Sequence, residues 1–211
     1  MHIEFLVEEP SAEAALQNLL PKILGNVATF SIHPHQGKPD LLKKLPMRLK
    51  GYSHWLLEDW RIVILVDADD DDCLELKARL EQIAWDAGLV TKSAALPGQQ
   101  FQVLNRLAIE ELEAWFFGDV KALNAAYPRV SLTLGQRAKY RNPDAITGGT
   151  WEALERLLQR SSYFPEGLPK ITVARQVSRH IDPARNRSRS FQVFREGLLE
   201  LISGGLFQCH Q

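Results

Sequence analysis

The 211-residue chain holds only two cysteines, Cys73 and Cys209, and they share no metal-like spacing. So few thiols exclude a disulfide-stapled scaffold and a thiolate metal centre, and they fit a reduced, cytoplasmic setting. Long apolar runs are also missing, and none approaches the roughly 20 residues of a membrane span. The first residues, MHIEFLVEEP, carry acids where a secretory signal carries base. No small-residue cleavage site follows, so the chain is expected to enter its fold at once. No G-x-x-x-x-G-K-[ST] pattern occurs, so any nucleotide-driven step is expected from a partner. There is no internal repeat and no low-complexity tract.

What remains is ordinary globular composition, 45% hydrophobic and 24% charged, enough for one sizeable domain. The formal net charge of −1 hides an uneven layout. Two windows, His33 to Trp55 and Arg175 to Arg195, hold 11 of the 25 basic residues and 2 of the 26 acidic ones. Such segregation marks either a polyanion-binding face beside an acidic centre or solvated surface.

HIEFLVE (2–8) reads as a strand, with Ile3, Phe5 and Val7 alternating. A helix follows, with Ser11 as N-cap and Pro21 kinking or ending it. NVATFSIHP is a second strand, and DLLKKLPMRLKGY a short basic helix broken at Pro46. WRIVILVDAD is the strongest strand; its unbroken apolar run implies burial on both faces, as in a parallel sheet. A helix runs on to a stop at Gly88. FQVLNRLAI is a further strand leading directly into a helix, EELEAWFFGD. Strands alternating with helices predict an α/β fold with a mainly parallel sheet over 1–120. Residues 121–211 read as a loop-rich, mostly helical extension packed on that core. Its helices are WEALERLLQRS, LPKITVARQVSRHI and SFQVFREGLLELI.

In a parallel sheet, ligands bind beyond the carboxyl ends of the strands. Two strands end in acids here, the first at Glu8 and Glu9, the third at Asp67 and Asp69. If those strands are neighbours, about 5 Å apart, their carboxylates converge and raise one another's pKa. Bound Mg²⁺ or Mn²⁺ removes that conflict, because hard cations prefer oxygen ligands. Asp70, Asp71 and Asp72 are better explained as a helix N-terminal acidic run. On the helix at 109–119, Glu113 falls at the edge of an apolar stripe while Glu111 points away. A carboxylate there needs a partner. Glu113 is therefore either a further ligand or water-orienting base, or half of a buried salt bridge to an Arg.

The order of acidic strand end, helix, strand, then a strand closing in D-x-D resembles the Toprim domain of topoisomerases, primases and OLD-family nucleases. Glu8 matches its first motif, and Asp67 with Asp69 its second. More closely, FLVEEPSAEAAL, QGKPDLLKKLPMRLKGY, VDADDDDC, AIEELEAWFFGD and RNRSRSFQVF together resemble the Toprim-like domain-of-unknown-function family 4276. That resemblance spans the whole chain. It implies a Toprim-like (Rossmann-like) core and Mg²⁺-dependent phosphoryl transfer on nucleic acid. It further implies a nuclease working with an ATPase partner in a phage-defence type system. One departure stands out: Glu9 occupies the position where the Toprim motif has Gly. Glu9 either adds a ligand or alters the geometry.

The leading expectation is thus a metal-dependent nuclease acting on DNA or RNA, with Glu8, Glu9, Asp67 and Asp69 holding metal. Glu8, Glu113 and Lys170 are the catalytic candidates, Lys170 as a point cation for transition-state charge. Lys38, Lys43, Lys44, Arg48, Arg185, Arg187, Ser188 and Arg189 would position the phosphate backbone. The competing expectation is a non-catalytic interaction subunit of an ATPase complex. A phosphoacceptor domain with Asp67 phosphorylated leaves EELEAW and the Arg-rich segment without a role, and a haloacid-dehalogenase-type phosphatase needs its D-x-D on the first strand. His33 and His35 read as surface histidines rather than a chelate, and Trp115, Trp151 and Phe191 as core.

Overall fold

The computed structural model describes residues 1–206, so Cys209 lies outside the described residues. Four strands, β1 (His2–Val7), β2 (Thr29–Pro34), β3 (Trp60–Asp67) and β4 (Val103–Ala108), form one sheet. Its order is β2-β1-β3-β4, and every pairing is parallel. Eight α-helices accompany it among the described residues: α1 (Pro10–Leu24), α2 (Lys38–Trp55), α3 (Cys73–Asp86), α4 (Glu113–Gly118), α5 (Val120–Ala126), α6 (Thr150–Arg160), α7 (Lys170–Ser178) and α8 (Arg189–Leu206). None is long and apolar enough to cross a membrane.

The sheet is sandwiched, and this explains the unbroken apolar reading of β3. Ile62, Ile64 and Val66 pack with Leu6 against leucines of α2 and α3. Val63 and Leu65 pack with Ile3, Phe5 and Val7 against α1 and the C-terminal helices. Each such side chain contributes about 1.5–3 kcal/mol by leaving water. The same core continues through Trp115, Phe191 and Phe194, so the C-terminal third shares a core with the sheet. Lys22 on α1 fastens α7 by donating to the carbonyls of Arg179 at 2.7 Å and Ile181 at 2.8 Å. That places a cation on the otherwise unpaired carbonyls beyond a helix C-terminus.

The chain leaves β1 for β2 on one side and then crosses to β3 on the other. The crossover direction therefore reverses between β1 and β3, which opens a crevice at their carboxyl ends. The first and third strands are neighbours, with Val7 opposite Leu65.

Several local expectations are corrected. α1 runs through Pro21 to Leu24, and α2 runs through Pro46 to Trp55. Both prolines sit on exposed faces, so water can take the carbonyl each ring leaves unpaired, while buried leucines hold the helix to the sheet. Ser11 is not the N-cap; Glu9 is, with Pro10 in the first turn, where its missing N–H costs nothing. β4 does not lead directly into a helix over 109–119. Residues 109–112 form a bend with Glu110 at φ 60°, and the helix starts at Glu113. His35 is buried rather than on the surface, its Nδ1 2.9 Å from the Val7 carbonyl oxygen.

Candidate active site

Glu8 follows the last residue of β1, and its carboxylate turns toward β3. Glu8 Oε2 accepts a hydrogen bond from the Asp67 backbone N–H at 3.1 Å. Glu8 is 8% exposed, and Asp67 is half-buried. Beyond Asp67 the chain clings to the loop leaving β4. Ala68 N–H donates to the Ala108 carbonyl at 2.8 Å, and Asp69 N–H to the Glu110 carbonyl at 2.7 Å. Asp69 (φ 49°) and Glu110 (φ 60°) both adopt the left-handed region. Two non-glycine residues there cost about 1–2 kcal/mol each. The D-x-D loop and the loop carrying Glu113 are therefore held in one fixed register.

Glu113 opens α4 and is 3% exposed. No Arg pairs with it among the described residues. Burial, and then the Glu111 charge, push its pKa up to about 7, against an opposing pull from Lys170. Asp67 is raised well above the usual carboxylate range, by burial first and then by the charges of Glu113, Glu8 and Asp69. Glu8 is raised by burial, while the Asp67 N–H and Lys38 work against the rise. The Glu113 and Glu8 charges thus both make ionisation of Asp67 harder.

Two lysines flank them. Lys38, the first residue of α2, places its ammonium 2.8 Å from Asp69 and 2.7 Å from Asp71, and donates to the Ala68 carbonyl at 3.1 Å. Lys170, the first residue of α7, lies 3.5 Å from Glu9 and 4.8 Å from the Trp151 ring centroid. Trp151 is accordingly a half-buried rim residue, whereas Trp115 and Phe191 are core. Asp72 caps α3 by accepting from Leu74 and Glu75 N–H. Asp71 pairs with Lys38 instead of capping.

The donor set of Glu8, Asp67, Asp69 and Glu113 is all oxygen and suits a hard divalent cation. Asp67 and Glu113 have no cationic side chain within ion-pair distance among the described residues. Their unbalanced charge is what a cation or a proton would settle. As they stand, however, no three His, Cys, Asp or Glu side chains among the described residues are close enough together to hold a metal ion. Lys38 occupies Asp69, so metal entry there requires that ammonium to swing aside.

The basic residues divide. Lys38 belongs to the acidic crevice. Lys44 pairs with Asp40 on its own helix at 2.8 Å, Lys43 is exposed, and Arg48 is half-buried. Arg185 grips the buried Asp119, with Nη2 2.7 Å from Oδ2 and Nε 2.9 Å from Oδ1. Ser188 is buried and donates to Asp144 at 2.8 Å. Arg187 is exposed, and Arg189 lies 3.3 Å from Glu196. Along 185–189 the exposed Arg185, Arg187 and Arg189 alternate with the buried Asn186 and Ser188.

Sequence reasoning missed the Asp119–Arg185 pair and the role of Glu111. Glu111 accepts from Trp151 N–H at 2.6 Å and from Thr150 Oγ1 at 3.0 Å, so it caps α6 from a distant loop. Neither has a local signal, because both partners lie far along the chain. Lys38 is a sequence candidate for phosphate-backbone contact; its pairing with Asp69 and Asp71, just past the end of β2, is what that reading did not include.

The family described as "Domain of unknown function (DUF4276)" matches residues 7–199. No curated protein matches the chain, and no solved structure does.

Proposed function

The chain belongs to the DUF4276 family, and from that premise we propose that it is a Toprim-like, Mg²⁺- or Mn²⁺-dependent nuclease cleaving phosphodiesters of DNA or RNA in the cytoplasm. The observation that carries this reading is the Glu8–Asp67 contact at the point where the sheet reverses, with Glu113 beside it. Glu8, Asp67 and Asp69 would hold the cation, with Glu9 at the rim. When bound, the cation supplies Lewis acidity and charge neutralisation at a phosphodiester. Glu113, with its pKa near neutrality, can take a proton from water and return it to a leaving oxygen at working pH. Lys170 offers a fixed positive charge to the developing phosphate charge. Because the sequence has no P-loop, nucleotide hydrolysis in any larger assembly falls to an ATPase partner.

The second reading is a non-catalytic Toprim-like interaction subunit of an ATPase complex. It is favoured by one specific contact, the Lys38 ammonium seated on Asp69, which neutralises a ligand without a metal. The two readings separate in a cleavage assay. Labelled single- and double-stranded DNA and RNA are incubated with protein and Mn²⁺, beside the Asp67→Asn variant. The nuclease reading expects Mn²⁺-dependent cleavage that the variant lacks. No product from either protein favours the interaction subunit, and equal product from both contradicts the role given to Asp67.

A further inference from the structure

The sequence between Lys121 and Pro143 contains five basic residues and no acid, in a chain whose net charge is −1. Most of this stretch looks like a connector, yet the structure pins it firmly. Leu134 is buried. Tyr140 stacks on Phe117 with ring centroids 5.2 Å apart and planes 11° from parallel. Between and beyond these anchors, Arg137, Lys139 and Arg141 are all exposed. None of them pairs with an acid among the described residues.

A fourth cation joins them from far along the chain. Arg187 N–H donates to the Gly118 carbonyl at 2.9 Å, which anchors its backbone at the end of α4. Its Nη2 donates to the Arg141 carbonyl at 3.2 Å. Phe117 and Gly118, the last residues of α4, thus fix both segments. Glu113 is the first residue of that helix, so the anchor is about 7.5 Å from Glu113 along the axis.

From this we infer that Arg137, Lys139, Arg141 and Arg187 form one cationic surface that docks a nucleic-acid phosphate backbone and leads it toward Glu113. The inference rests on the nucleic-acid reading above and adds a binding surface to it. Unpaired exposed cations held in fixed positions on a slightly acidic protein are what phosphate-backbone contact requires. Arg185 is not part of this surface, because Asp119 holds it. Lys44 is also spoken for, by Asp40.

The test is binding without chemistry. Fluorescence anisotropy of a labelled single-stranded oligonucleotide is read in EDTA across a potassium chloride series. The double variant Arg137→Ala/Lys139→Ala removes two exposed side chains that make no ion pair, and the exchange variant Arg137→Lys/Lys139→Arg keeps both charges. The expected result is an affinity loss of about tenfold in the alanine variant, with a log–log salt slope shallower by about 1.4. The exchange variant should keep the wild-type slope. An alanine variant with wild-type affinity and slope overturns the inference. So does a wild-type protein that binds neither DNA nor RNA at low salt, even if it binds anionic vesicles. A protein that binds in this pattern but never cleaves with Mn²⁺ contradicts the nuclease reading alone.

Discussion

Glu8 and Asp67 are joined across two neighbouring parallel strands, the Glu8 carboxylate accepting the Asp67 backbone N–H at 3.1 Å. This contact brings one acid to the base of another, and burial with the charges of Glu113, Glu8 and Asp69 holds the Asp67 pKa well above the usual carboxylate range. A sheet that only needed stability would not gather these charges. Asp67→Asn removes one charge while keeping the shape. It is expected to raise stability by about 1 kcal/mol at pH 8, or about 2–4 °C in Tm. Differential scanning calorimetry without metal checks this, and a lower Tm contradicts it.

The pH dependence of stability carries a second expectation. The pKa of Glu113 lies near 7 in the folded protein, against an ordinary value of 4.5. The folded state therefore holds this proton more tightly than the unfolded state. Its stabilising effect is complete below about pH 4.5 and is lost as pH rises to about 7, a change on the order of 3 kcal/mol. Urea unfolding across that range should show stability falling with pH, and Glu113→Gln should flatten the fall. An unchanged slope in the variant would show that Glu113 titrates normally.

Lys38 competes with any cation for Asp69. Lys38→Met is expected to tighten Mn²⁺ binding by about tenfold, since it removes a positive charge a few ångströms from the site. Weaker binding in that variant would mean that Lys38 is needed to hold the D-x-D loop.

Arg185 is a structural partner of a buried acid. Arg185→Ala leaves the Asp119 carboxylate, 1% exposed, with only backbone donors. Thermal melts should show a loss of about 2–3 kcal/mol. Nucleic-acid affinity of the folded variant should stay within about twofold of wild type. A full-stability variant with weakened binding would return Arg185 to the binding surface.

Glu111 and Glu113 are two residues apart and do different work. Glu111→Ala is expected to cost about 1 kcal/mol by removing the acceptor at the start of α6, with Mn²⁺ affinity unchanged. Glu113→Ala should lower Mn²⁺ affinity. Equal metal effects at the two positions would contradict the assignment.

Much of this was legible in the sequence because burial leaves a pattern. Ile62 to Val66 are apolar without a break since both sheet faces are covered, and that run located β3 and the acids ending it. Ile3, Phe5 and Val7 located β1 in the same way. Pro21 and Pro46 misled because their local rule ignores which way the ring faces. Glu110 misled because a left-handed bend at a non-glycine residue is imposed by the Asp69 N–H contact, which no neighbouring residue announces. Arg185 and Lys38 had their charge in view, but their partners, Asp119 and Asp69, are set only by tertiary packing.

The proposed function requires the carboxylates at the ends of β1 and β3 to form a divalent-metal site. Isothermal titration of Mn²⁺ into the wild-type protein and into Asp67→Asn, at a pH above 7 where Glu113 is ionised, tests it most directly. Saturable binding to wild type is expected, with its loss in a variant that remains folded by circular dichroism. Saturable binding of equal affinity in both proteins, or none in either, would contradict it.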